Sequence, residues 1–346
     1  CLQKIKMKKS INFLLFGIFI ICSSCVKLNP ENNSNNVSIN GNGLVLIGNE
    51  GNFQFGNSSL SSYNKNSGET SSNIYQNINQ SPLGDVLHSI SHIDHQLFLV
   101  VNNSGKIVVI NDETFEYLFQ IDNLLSPRKI IKVNNSKYYI TDLYSNSIYI
   151  YNAYQNTTSE IPVNGWCEDI LMQNGKVYVC NVANNQIYIL NTNDDTILDS
   201  ISVGQSPVSI KEDIKGDLWV LSQGSVSNNE DPSISIIETQ TLQIIKNFKL
   251  ESNMSYPSSM NLFNNEVFFI NKHVYKISSI EDTVQEIIWE NDGNTFYNLS
   301  IDPYNKDLYL TDAKDYVQNG SLLIIDSIGN LKNEVITGII PKSIVF

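Results

Sequence analysis

Arginine occurs once in this chain of 346 residues, at Arg128, and histidine only four times. Lysine and arginine together number 22 against 35 aspartates and glutamates, for a net charge of −13. A chain so poor in cations lacks the basic surface that nucleic-acid phosphates need, so no nucleic-acid partner is expected. It equally lacks the polybasic patch that docks proteins on anionic lipid. The five cysteines include no CxxC pair with partner histidines, which leaves a zinc site without support. Also missing are a GxSxG elbow, an HExxH pair and a phosphate loop. No cofactor is expected to be required, and the chain reads as a binding protein rather than an enzyme. Long apolar runs are scarce too: Ile11 to Ile21 is the extended one, about half of what a spanning helix needs.

That run has another reading. Met7-Lys8-Lys9 forms a basic start, the apolar stretch follows, and Ser23-Ser24 precede Cys25. This is the layout of a secretory signal over residues 1–24, with residues 1–6 ahead of the true start at Met7. Small residues before a cysteine resemble the lipobox of bacterial lipoproteins, which implies lipidation of Cys25; an ordinary signal peptide cut nearby is the alternative. Removing residues 1–24 takes away four lysines and no acid, so the net charge moves from −13 to −17. The polar, asparagine-rich run from Cys25 to residue 43 reads as a flexible tether. Of the later cysteines, Cys167 and Cys180 are either a disulfide of an oxidising compartment or two buried thiols.

What the chain has in abundance is a repeat. Short β-branched and aromatic runs alternate with Asn, Gly, Asp and Ser turns about every ten residues, without a convincing helical stretch. Units begin at Val86, Pro127, Trp166, Pro207, Pro257 and Tyr297. The second, for instance, contains KYYITD, SIYIYN and TTSEIPV. Pro127 and Pro207 stand two steps of about 40 apart, and the insertion SVSNNEDPS lengthens the next step. A period near 40 with four strands per unit predicts a β-propeller. The chain ends supply one more unit: LVLIGN, SSLSSYN and SSNIYQNI from the N-terminal side, and IIPKSIVF at the C-terminus as its first strand. Joining them hides edges that would otherwise invite aggregation. The expectation is an all-β, seven-bladed β-propeller over residues 44–346, four antiparallel strands per blade. Runs such as Lys137-Tyr138-Tyr139-Ile140 are apolar on both faces, as strands between neighbouring blades should be.

In such a ring the loops after each second strand, and those leading into each first strand, open on one face. The former hold Asn49-Glu50-Gly51-Asn52-Phe53, Asn102-Asn103, Asp142-Leu143-Tyr144, Asn181, Gln223, Asn271 and Asp312-Ala313-Lys314-Asp315-Tyr316. The latter bring Arg128, Trp166, Tyr256 and Tyr297. Amides that both donate and accept, beside flat aromatic rings, suit a bulky ligand with polar edges. Asn and Asp also form turns in any β protein, so each has a purely local reading, and the rings have another as plugs of the axial channel. Arg128 either meets a ligand phosphate or carboxylate or pairs with a neighbouring acid. His88, His92 and His95 form a cluster in which His88 and His92 would share a strand face. They are placed in a first strand and its turn, away from the loops above, and no metal is expected there. Glu50, Asp142, Asp312 and Asp315 can converge, but with no histidine among them acid–base work lacks a proton carrier near neutral pH.

A proline opening the first strand, Leu-Tyr/Trp-Val after it, and strands ending in Asp or Asn resemble the YncE- or YVTN-like propellers. Gly48-Asn49-Glu50-Gly51-Asn52-Phe53-Gln54-Phe55 looks like the opening motif of the BtuG-like surface lipoproteins, of DUF5074 type. So do Val101-Asn102-Asn103-Ser104, Ser126-Pro127-Arg128, Asp312-Ala313 with Asp315-Tyr316, and Gly338-Ile339-Ile340-Pro341. The resemblance covers residues 44–346. It implies capture of cobalamin or a related corrinoid and delivery to a TonB-dependent outer-membrane transporter. It also implies an outer-membrane lipoprotein at the cell surface, held to the membrane by its lipid anchor alone, with the periplasmic leaflet as the other location. Two further readings stand beside it: a protein–protein interaction propeller in an outer-membrane complex, and an enzyme of lactonase or quinoprotein type.

Overall fold

Each repeat folds as a four-stranded antiparallel sheet in a computed structural model that describes residues 43–250, 256–264, 266–278 and 285–346. The expected signal segment, Cys25 and the tether through residue 42 lie outside the described residues. Blade 1 comprises Leu87–Ile93, Gln96–Val101, Lys106–Asn111 and Tyr117–Ile121. Blade 2 follows with Pro127–Lys132, Lys137–Asp142, Ser147–Asn152 and Thr157–Pro162, and blade 3 with Cys167–Gln173, Lys176–Asn181, Gln186–Asn191 and Thr196–Ser202. Blade 4 is Pro207–Glu212, Leu218–Ser222, Ser233–Glu238 and Gln243–Lys249; blade 5 is Ser258–Phe263, Glu266–Asn271, His273–Ile277 and Gln285–Trp289. Phe296–Ile301, Leu308–Asp312, Asn319–Ile325 and Leu331–Ile339 make blade 6. In each the first strand is innermost, and consecutive innermost strands touch around the whole circle.

Blade 7 closes that circle with strands from both ends of the chain. Pro341–Val345 lies innermost and pairs antiparallel with Leu44–Asn49, Leu46 opposite Val345 and Gly48 opposite Ser343. Ser59–Asn64 and the two-residue strand Thr70–Ser71 complete the sheet. The expected seven-bladed ring, with one blade shared by the two ends, is the observed architecture.

The sequence alternation explains how the ring holds together. Neighbouring residues of one strand enter opposite seams: Tyr138 packs toward blade 1, Tyr139 toward blade 3. Trp219 and Leu218 divide in the same way between blades 5 and 3. A separate apolar cluster fills each of the seven seams. Burying one such large side chain stabilises by roughly 1.5–3 kcal/mol, so stability is spread around the circle. Outer strands such as Thr157–Pro162 are mostly exposed, having a sheet neighbour on one side only.

Two expectations need adjusting. SSNIYQNI does not form an outer strand: after Ser71 the chain turns at Asn73, in the left-handed region with φ 54°, into a short helix at Ile74–Asn79. Ile74 and Tyr75 are the reason, since both are buried in the seam between blades 7 and 1. The Asn79 side chain then takes over edge duty, donating to the Phe115 carbonyl and accepting from the Tyr117 N–H. The cysteine alternative also resolves. Cys167 and Cys180 are free and buried, and they point into different seams, either side of blade 3. Among the described residues no helix is long and apolar enough to cross a membrane.

Candidate functional site

The meander places the loops after second strands, and those joining blades, on one face of the ring. The innermost strands meet that face with a common irregularity. Their pairing register slips between Leu87 and Ser89, Pro127 and Ile130, Cys167 and Ile170, Pro207 and Ser209, Ser258 and Asn261, and Phe296 and Asn298. Blade 7 slips too, opposite the stretch from Pro341 to Ser343. A bulge bends a strand and re-aims a side chain. Here the re-aimed residues, among them His88, Arg128, Glu168, Tyr297 and Lys342, all line the axial opening. The opening comprises a channel of about 320 Å3 and a mouth of about 260 Å3 that share His88, Arg128 and Lys342.

These side chains form one polar network. The Arg128 guanidinium donates through Nε and Nη2 to the two carboxylate oxygens of Glu168, at 2.7 and 2.8 Å. Trp166 donates its indole N–H to the same carboxylate at 2.6 Å, and its ring lies 5.9 Å from the guanidinium. The His88 imidazole sits between two acids, Nδ1 3.4 Å from Glu50 and Nε2 3.4 Å from Glu168. Tyr297 donates its hydroxyl to Glu50 at 2.9 Å, while Lys342 rests 4.4 Å from the centre of the Tyr297 ring. Burial alone would raise the pKa of Glu168; the charge of Arg128 and the His88 and Arg128 hydrogen bonds outweigh it and hold the carboxyl well below its usual range. Glu50 behaves likewise: burial opposes ionisation, but His88, Lys342 and Tyr297 prevail, and its pKa is lowered. Burial and the neighbouring Glu50 push the Tyr297 phenol up.

Several residues singled out in the sequence meet at this opening. Glu50, Phe53, Asn102, Arg128 and Tyr297 line the mouth, and Trp166 and Gln223 the channel. Other positions hold the chain itself. Asn49 is wholly buried, donating to Ser59 and Ser61 and accepting from the Gly338 N–H. Asp142 accepts from the backbone of Ser126, Tyr144 and Ser145; Asp312 does so from Thr295 and Lys314. Asn181 donates to the Asn164 carbonyl and accepts from Asn184, and Asn102 donates to the Pro127 carbonyl. These amides and carboxylates end second strands, and each ties a turn or an incoming strand. Asn271 stands at the same point, with its amide nitrogen buried and unpartnered among the described residues. Asp315 accepts from Val317 and Gln318 in an exposed turn, and those backbone bonds lower its pKa. Asn103 donates to Asp85, and Asn52 to the Tyr316 carbonyl.

The loops around the mouth also leave large apolar side chains in water. Phe53 and Tyr144 are 62% and 67% exposed, and Phe55, Leu125, Val226, Tyr256, Tyr316 and Val317 are exposed with them. Tyr316 stacks edge-on against Tyr297, 5.9 Å between ring centres, and so links rim to mouth.

The sequence reading placed His88 away from this face. The bulge between Leu87 and Ser89 is what brings it in. His92, by contrast, bonds Asp112 at 2.8 Å. Glu168 and Lys342 were not singled out either, although the repeat marks all three. His88 and Glu168 stand one 40-residue step before and after Arg128, and Lys342 follows Pro341 as Arg128 follows Pro127.

Solved structures share the architecture at low identity. A quinoprotein alcohol dehydrogenase-like protein of Bacteroides thetaiotaomicron superposes with a TM-score of 0.70 at 12% identity, covering 88% of this chain and 78% of its own. A Bacteroides fragilis protein put forward as a 6-phosphogluconolactonase gives 0.67 at 12% identity, covering 88% and 98%. Hydrazine synthase of Kuenenia stuttgartiensis gives 0.62 at 15% identity, over 74% and 88%. At such identities the likeness is one of fold. No curated protein matches the sequence. The profile of DUF5074, a domain of unknown function, matches residues 42–339. A match over most of the ring places this chain in the DUF5074 family.

Proposed function

We propose that the propeller captures a bulky small molecule of the corrinoid class across its mouth and, as a lipid-anchored outer-membrane protein, hands it to a TonB-dependent transporter. The observation that carries the reading is the exposed rim. Phe53, Tyr144, Tyr256 and Tyr316 leave wide flat area in water around a polar opening, the kind of exposed apolar surface that marks a binding site. Aromatic surface of this kind packs on a macrocycle, while amides and charged groups of the mouth meet its polar edge. The opening is too small to enclose such a ligand, so the ligand lies over it. Binding of this kind needs no catalytic group.

Titration of the purified protein with cobalamin, followed by calorimetry and visible absorbance, tests this directly. Saturable binding at micromolar concentration or tighter is expected, and Phe53→Ala with Tyr316→Ala should weaken it at least tenfold. Absence of both binding heat and a change in visible absorbance would remove the corrinoid reading. A second reading, an enzyme acting on an anionic lactone or ester, draws on one observation: His88 stands between Glu50 and Glu168 in the mouth, where an imidazole can carry protons. His88→Ala separates the two, because it would abolish turnover but leave capture on the rim largely intact.

A further inference from the structure

Below the mouth the channel wall carries three lysines, Lys129, Lys211 and Lys342. Lys211 is paired with Asp169 at 3.2 Å. Among the described residues Lys129 and Lys342 make no hydrogen bond or close ion pair; Lys129 feels the charges of Asp169 and Glu168 at longer range and Lys342 that of Glu50, and Lys342 also has the face of Tyr297. With Arg128, channel and mouth hold four cations against three carboxylates, Glu50, Glu168 and Asp169, within a chain of net charge −13. The local balance is the reverse of the global one. Burial is the main cause that lowers the pKa of Lys129; Asp169 and Glu168 oppose it, and the like charges of Lys211 and Lys342 add to it. Converging cations in a narrow cavity repel one another, and an anion among them removes that cost. The hydroxyls of Ser209 and Ser258 line the same wall. At about 320 Å3 the channel suits one small group rather than a whole bulky ligand.

We propose that the axial channel is an oxyanion site, in which Lys129 and Lys342 bind a phosphate or carboxylate group that reaches in from the mouth. The site stands whatever molecule covers the rim. Calorimetric titration at low ionic strength with inorganic phosphate and, separately, with citrate tests it, with thermal unfolding as a second readout. At least one of the two anions should bind saturably and raise the unfolding temperature, and the tighter one identifies phosphate or carboxylate as the preferred group. Lys129→Met with Lys342→Met should weaken that binding at least tenfold. Lys249→Met, at an exposed lysine beside Asp231, should leave it unchanged, and Lys129→Arg should retain it. A cooperative unfolding transition of the double variant in anion-free buffer shows that it is folded, which separates lost binding from lost folding. The proposal is overturned if neither anion binds, if the double variant binds like the parent, or if folded Lys129→Arg loses binding. None of these outcomes bears on the cobalamin titration, so the two readings fail separately.

Discussion

The two faces of the ring use the same residue types to different ends. On the face away from the mouth, Asn and Asp side chains close turns on their own neighbours. Asn134 accepts from Ser136 and Lys137, Asn152 from Tyr154 and Gln155, and Asp213 from Lys215 and Asp217. Bonds of this kind recur from blade to blade, each within a single turn. Around the mouth, contacts distant in sequence join such local turns: Tyr297 to Glu50 spans 247 residues, and Asn52 to the Tyr316 carbonyl spans 264. The first kind shapes every blade independently. The second exists only once the ring has closed, so the site depends on the whole fold while the turns do not.

Substitutions on either face should separate these two roles, and the largest effect belongs to the mouth. Glu168→Ala removes the partner of Arg128 and strands a partly buried guanidinium, which should cost about 3–5 kcal/mol in chemical denaturation. A loss below 1 kcal/mol would mean that water already carries the charge. Acid should act through the same residue. Its folded pKa lies below the ordinary value of 4.5, so the unfolded chain takes up the proton first. The stabilisation is complete above about pH 4.5 and disappears as pH falls through the lowered folded value. Glu168→Gln should flatten this acid limb, and an unchanged limb would assign it to other carboxylates.

A smaller effect is expected on the far face. Asp213→Ala deletes bonds to two backbone N–H groups and to the Trp219 indole, at about 1–2 kcal/mol, and should leave cobalamin affinity as it was. Altered affinity would show that the faces are coupled. Smallest in stability are the rim aromatics: Tyr144→Ala and Tyr256→Ala should stay within about 0.5 kcal/mol of the parent in denaturation while cobalamin binding weakens. If both measurements are unmoved, the ligand avoids that side of the rim.

The ring was legible in the sequence because its period is rigid and its strands carry apolar residues on both faces, as at Tyr138 and Tyr139. The shared blade was legible for the same reason, IIPKSIVF matching the first-strand pattern that the N-terminal unit lacks. The helix at Ile74–Asn79 was not, since Ile74 and Tyr75 fit a strand pattern as well as a helix and only the seam they enter decides. At the site, Glu50, Arg128, Trp166 and Tyr297 were found through the loops. His88 and Glu168 were missed because a regular strand gives no reason to turn them inward; a bulge does, and bulges leave no mark in composition. Asn49, Asp142 and Asn181 show the opposite ambiguity. A turn-forming amide and a ligand-binding one are the same residue, and only the observed partners tell them apart.

The direction of the two strands that close the ring carries a consequence for how the protein is presented. Leu44–Asn49 runs up to Glu50 at the mouth, and Pro341–Val345 runs back down beside it. Both polypeptide ends of the ring therefore emerge behind the opening. A label coupled at Gly43 or Phe346 would sit on the side away from the rim and leave the mouth open to a ligand.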